Sequence, residues 1–133
     1  MAEKILVVSS DQKLVALVQK GLGLKGYSVT ATEETGEKLG EILEQVQPGL
    51  IVLDAMMPRL DGLETCLWLR QLSPVPILML STWGAGKDQV RGIDLGAESY
   101  LTEPFDAAEL VRRVEESLLR AAKGRAERKL TLA

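Results

Sequence analysis

Residues 49–54 read GLIVLD, and AMMPRLDGLE (55–64) follows directly. Four consecutive aliphatic residues end in a carboxylate. A run that is apolar at every position, not only at alternate ones, suits a central strand of a parallel sheet covered on both faces. KILVV (4–8) and VPILML (75–80) are runs of the same kind. YSVTA (27–31) instead alternates and carries Ser28 and Thr30, so it reads as an edge strand. ESYLT (98–102) completes a set of five.

Apolar residues recur at helical spacing between these runs. They are Leu14, Leu17, Val18 and Leu22; then Leu39, Ile42, Leu43 and Val46; then Leu63, Cys66 and Leu69 or Arg70. Val90, Ile93 and Leu95 suggest a fourth helix, and Leu110, Val114 and Leu118 a fifth. Gly26, Pro48, Ser73-Pro74 and Gly96 punctuate the ends of the first four. Alternating strands and helices with right-handed crossovers predict an α/β fold, a doubly wound parallel sheet. Such sheets bind ligands at the carboxyl ends of their strands. The polar residues that follow the runs are therefore expected in one pocket: Ser9, Ser10 and Asp11, then Asp54, then Ser81 and Thr82, then Glu103.

At 133 residues, 46% hydrophobic and 26% charged, the chain fits one globular domain. No apolar run approaches the ~20 residues of a membrane span, and MAEKILVV does not read as a signal peptide. The absence of histidine excludes histidine-based catalysis and histidine metal ligation. A single cysteine, Cys66, excludes an internal disulfide and suits a cytoplasmic location. The net charge of −3 speaks against the domain as a whole binding nucleic acid. Basic residues gather late, at Arg112, Arg113, Arg120, Lys123, Arg125, Arg128 and Lys129. They read either as a tail with its own role or as a solvated helix face. We expect a domain over 1–120 and a basic extension or linker over 121–133.

Several motifs in order resemble the receiver domains of bacterial two-component response regulators. LIVLDAMMPRLDGLE (50–64) is similar to the family's phosphoacceptor segment, in which an aspartate is followed by Met-Pro and then Asp-Gly. GAESYLTEPF (96–105) is similar to its Gly-Ala-Asp-Asp-Tyr-x-x-Lys-Pro-Phe segment. The resemblance runs from about Lys4 to Leu119. It implies a flavodoxin-like fold with five helices and strand order 2-1-3-4-5. It makes Asp54 the phosphoacceptor and places Ser81 and Tyr100 at the switch positions. It also implies a histidine kinase as partner and a Mg²⁺ ion. That ion would be held by two acidic residues after the first strand, by the acceptor aspartate, and by a backbone carbonyl, here that of Met56. A lysine after the fifth strand would pair with the phosphoryl oxygens. Phosphoryl transfer spreads negative charge over equatorial oxygens, which fixed cations must neutralise.

The chain departs from this pattern at three positions. Ser9 and Ser10 stand where the acidic pair belongs, and Glu103 stands where the lysine belongs. Hydroxyls are poor ligands for a hard cation, and Glu103 reverses a charge. Asp54 and Glu103, if ~4 Å apart, would repel by roughly 4 kcal/mol at an effective dielectric near 20. Thr82 would narrow the access to Asp54. Asp11 could act as a substitute ligand, although a helix N-cap is its more ordinary role. The expectation is an atypical receiver with a degenerate site, weak Mg²⁺ binding at best and signalling that does not depend on Asp54 phosphorylation. One alternative is a conventional receiver that is phosphorylated on Asp54 with weakly held Mg²⁺. Another is a flavodoxin-like small-molecule binder, which lacks a glycine-rich phosphate loop after the first strand.

VRGIDLGAESY and AELVRRV resemble the DNA-binding branch of the family, whose receivers pair through the fourth helix, fifth strand and fifth helix. Lys87 with Arg91, and Glu109 with Arg113, are spaced i, i+4 and would set the register of such a homodimer. Ser99 stands where the family has an aspartate, so one link to Arg113 is missing. DNA would be reached only through an output domain outside this chain. Trp83-Gly84-Ala85-Gly86-Lys87 lacks phosphate-loop spacing and reads as an ordinary loop. Cys66 is expected in the core. Leu67 and Trp68 are expected on the outer side of the third helix.

Overall fold

The computed structural model describes residues 3–54, 62–81, 99–102 and 105–132. Its strands are β1 (Lys4–Val8), β2 (Ser28–Thr32), β3 (Leu50–Asp54), β4 (Ile77–Ser81) and β5 (Ser99–Thr102). Its helices are α1 (Gln12–Gly23), α2 (Gly36–Val46), α3 (Gly62–Leu72) and α4 (Ala107–Leu132), the last being the fifth helix of the sequence pattern. The helix expected around Val90, Ile93 and Leu95 lies outside the described residues, as does the loop beginning at Trp83.

All five strands are parallel, in the order β2-β1-β3-β4-β5. This is the doubly wound, flavodoxin-like arrangement, and alternating side chains serve its two faces. Ile5, Val7, Leu50, Val52, Leu78, Leu80 and Leu101 form one core with Val15, Val18 and Leu22 of α1 and Leu110, Val111 and Val114 of α4. Leu6, Val8, Ile51, Leu53, Ile77 and Met79 form the other with Leu39 and Leu43 of α2 and Cys66 and Leu69 of α3. The continuous apolar runs thus reflect burial on both faces. Each fully buried Leu or Ile contributes about 1.5–3 kcal/mol relative to exposure. β2 is partly exposed along its length, as its alternation predicts for an edge.

Two helix faces differ in detail from the periodicity. On α1 the buried set is Val15, Val18, Gly21 and Leu22. A Cβ placed on Gly21 would lie 3.3 Å from that of Ala107, so the glycine is what lets α1 and α4 approach. On α3, Leu67 is exposed as expected, but Trp68 is half-buried and packs on the second core. Its indole lies over Gly40 of α2, where a Cβ would sit 3.6 Å from Trp68 Cη2. The ring covers this part of α2 instead of facing solvent.

Chain breakers end α2. Gln47 takes a left-handed conformation (φ 50°), its N–H donates to the Leu43 carbonyl at 2.9 Å, and Pro48 follows. α4 continues without interruption through Gly124 and the basic extension to Leu132.

Candidate functional site

The site forms where β1 and β3 end side by side. Val8 is the register partner of Leu53, so the next residues, Ser9 and Asp54, arrive together at the carboxyl edge. Ser9 N–H donates to the Thr32 carbonyl at 3.0 Å, which extends the β1–β2 ladder one step past the strand and fixes the serine backbone. Asp54 is the last residue of β3 and lies opposite Leu80 of β4.

Both side chains are withdrawn from water, Ser9 at 3% exposure and Asp54 at 8%. Ser9 Oγ donates to Asp54 Oδ2 at 2.8 Å. The same oxygen accepts the Asp11 backbone N–H at 3.0 Å. The hydroxyl therefore has its one proton on the carboxylate and a lone pair on the turn that starts α1. Asp11 continues this local network. Its Oδ1 accepts the N–H groups of Lys13 at 3.0 Å and Leu14 at 3.3 Å, which makes Asp11 the N-cap of α1.

The two hydroxyls at positions 9 and 10 are poorer donors for a hard divalent cation than the carboxylate oxygens it prefers. A carboxylate at position 9 would bring a second negative charge to ~3 Å from Asp54, costing roughly 5 kcal/mol at an effective dielectric near 20. A neutral hydroxyl avoids that repulsion and adds a hydrogen bond. Among the described residues, no group of three or more His, Cys, Asp or Glu side chains could hold a metal.

Ser10 lies half-buried in the bend between β1 and α1. Ser81 and Tyr100 are positioned by their strands, Ser81 opposite Thr102 and Tyr100 opposite Met79. Met56, Thr82, Lys87, Arg91 and Glu103 lie outside the described residues. On α4, Arg113 Nε meets Glu109 Oε1 at 3.3 Å, as the i, i+4 spacing predicts. Arg112, read only as part of the late basic cluster, grips the same Glu109 oxygen at 2.6 Å and Glu116 at 2.8 Å. The hydrogen bond and charge of Glu109, with the charge of Glu116, raise the Arg112 pKa above its ordinary value. These are intrahelical surface pairs, those of Arg112 exposed and that of Arg113 part-buried, all weakened by solvent screening.

Residues 5–115 match the family model of the response regulator receiver domain. The chain belongs to this family. It is 43% identical over 122 residues to the alkaline phosphatase synthesis transcriptional regulatory protein PhoP of Bacillus subtilis, covering 91% of this chain and 50% of that one. It is 38% identical over 120 residues to the DNA-binding dual master transcriptional regulator RpaA of Synechocystis, covering 88% and 49%. The chain thus spans about half the length of the curated relatives it matches. Among solved structures, the receiver domain of the TMAO respiratory system response regulator TorR superposes with a TM-score of 0.81 at 32% identity, covering 89% of this chain and 98% of that one. NtrX from Brucella abortus gives a TM-score of 0.90 at 28% identity, covering 98% of this chain and 30% of that one. The chain is a receiver domain of the two-component response regulator kind. Among the described residues, no helix is long and apolar enough to cross a membrane.

Proposed function

We propose that this receiver is a signalling module with a degenerate phosphorylation site, whose output does not depend on phosphoryl transfer to Asp54. The observation that carries the reading is the 2.8 Å hydrogen bond from Ser9 Oγ to Asp54 Oδ2, made by a hydroxyl where the family has a metal-binding carboxylate. The acceptor survives while its cation partners are replaced: Ser9 and Ser10 for the acidic pair, Glu103 for the lysine. Of the remaining oxygens, the Met56 carbonyl would supply a single neutral ligand, and Asp11 has Oδ1 engaged as an N-cap. Domain 1–120 would act in the cytoplasm on a partner protein, a histidine kinase or another signalling component. The extension 121–133 would lead to a DNA-binding output domain like those of the transcriptional relatives.

In this reading the domain pairs without phosphorylation through Lys87, Arg91, Glu109 and Arg113, with the Tyr100 strand between the two helices. Sedimentation of an Arg91→Glu/Arg113→Glu variant should show weaker self-association than the parent. Titration calorimetry tests the site directly. Mg²⁺ should bind weakly, well above millimolar Kd, and sub-millimolar binding abolished by Asp54→Asn would contradict the proposal. Retention of a buried Asp54 at the end of β3 favours a second reading, a conventional receiver with weakly held Mg²⁺.

A further inference from the structure

A groove of about 760 Å³ runs between α2 and α3, away from the Ser9–Asp54 pair. Its floor is apolar, built from Leu43, Trp68 and Leu72, and Leu72 is 51% exposed. Glu37, Glu41 and Glu44 stand along its α2 rim, on one helix stripe. Arg70 of α3 is engaged at the end of its own helix, where its Nη1 donates to the carbonyls of Ser73 at 3.3 Å and Val75 at 2.8 Å.

The opposite charge is gathered on the other side of the molecule. Residues 120–133 carry five basic residues and one acidic residue, Glu127, a formal charge of +4. The whole chain is −3, so residues 1–119 carry −7. α4 packs through Leu110 to Leu118 on the core beneath α1, the sheet face opposite α2 and α3. It then stays helical to Leu132, about 20 Å further at 1.5 Å per residue. An unbroken helix leaving that face cannot bend back to the groove of its own chain.

We propose that the α2–α3 groove receives the basic C-terminal helical segment, residues 120–132, of a second copy of this chain. The contact is a helix laid into an apolar groove with an acidic rim. In a two-fold pair each copy gives its tail and its groove, so the assembly closes. This surface is separate from the Ser9–Asp54 pair, and it holds whether or not Asp54 is phosphorylated.

Sedimentation equilibrium of the full 133-residue chain, at low and high salt, tests this. Self-association should weaken with salt. It should weaken about tenfold or more in either Glu41→Lys/Glu44→Lys or Arg125→Glu/Arg128→Glu, because each replaces attractions with repulsions. Combining all four changes in one chain makes the charges complementary again and should restore most of the association. Glu41 and Glu44 are exposed, so circular dichroism should show an unchanged fold. In the Arg91→Glu/Arg113→Glu background the association that remains should still weaken with salt and with either the groove or the tail changes. The inference is overturned by a chain that stays monomeric, by a four-change variant as weak as its parents, or by a tail variant that loses association while the groove variant keeps it. It is equally overturned if Arg91→Glu/Arg113→Glu abolishes association that the groove variant retains.

Discussion

Replacing Ser9 with alanine removes one oxygen and two hydrogen bonds from the place where β1 meets β3. The bond to Asp54 Oδ2, at 2.8 Å, has a carboxylate acceptor in a buried setting, worth about 1.5–3 kcal/mol. The bond from the Asp11 N–H, at 3.0 Å, is an ordinary neutral one of about 1 kcal/mol. Two effects offset this loss. The Asp11 N–H is only part-buried and can take a water, and Asp54 has further interactions besides Ser9. A net destabilisation of about 2 kcal/mol is expected, and with a urea m-value near 2 kcal/mol/M the unfolding midpoint should fall by roughly 1 M. The double-mutant cycle with Asp54→Ala isolates the pair. In the absence of the Asp54 carboxylate, the Ser9→Ala change should cost less than ~1 kcal/mol. An equal cost in both backgrounds, or a cost below ~0.5 kcal/mol in the parent, would show that the hydroxyl does not hold Asp54.

Asp11→Ala should cost about 1 kcal/mol by removing the N-cap bonds to Lys13 and Leu14, read as a lower thermal midpoint with unchanged helix content at room temperature. Gly21→Val should cost roughly 2–3 kcal/mol, because a side chain there meets Ala107 and Val111 of α4; a neutral result in urea unfolding would mean the helices can separate freely. Tyr27 has its pKa raised above 10.0, first by burial and then by Glu115 and Glu3. The folded state thus holds the phenolic proton more tightly than the unfolded chain does, so its contribution is fully present below pH 10 and is lost as pH rises through the folded value. Urea midpoints measured from pH 8 to 11 should fall less steeply in Tyr27→Phe than in the parent.

Most of the fold was legible because burial on both faces leaves an unambiguous trace. KILVV coincides with β1, and the other four runs lie within two residues of their strands. The face of α1 was less legible, since Gly21 carries no hydrophobicity although it lies against Ala107 and Val111 of α4. Trp68 was read as outward because nothing in α3 reveals that its indole packs over Gly40 of a different helix. At the site, the meeting of Ser9 with Asp54 followed from strand order alone. The direction of their bond follows from residue type, since a carboxylate only accepts; the direct contact itself did not follow, because it depends on the Val8–Leu53 register and on the turn that aims the Asp11 N–H at Ser9. Arg112 was read only as one of the late basic residues, although its i, i+3 spacing to Glu109 and i, i+4 spacing to Glu116 both stand in the sequence.

Phosphoryl labelling by acetyl phosphate, read by mass spectrometry, tests most directly whether the site is degenerate. Ser9→Asp, Ser10→Asp and Glu103→Lys together supply two metal ligands and one phosphate partner around the existing Asp54. Two carboxylates are added while one becomes an ammonium, so the local charge does not change, although the buried carboxylate pair at 9 and 54 should make the variant more stable when Mg²⁺ is present. With Asp54→Asn as the blank, the triple variant should gain one phosphoryl group in a Mg²⁺-dependent way while the parent chain gains none. A parent that labels on Asp54 as readily as the triple variant would contradict the degenerate-site reading and establish the conventional receiver in its place.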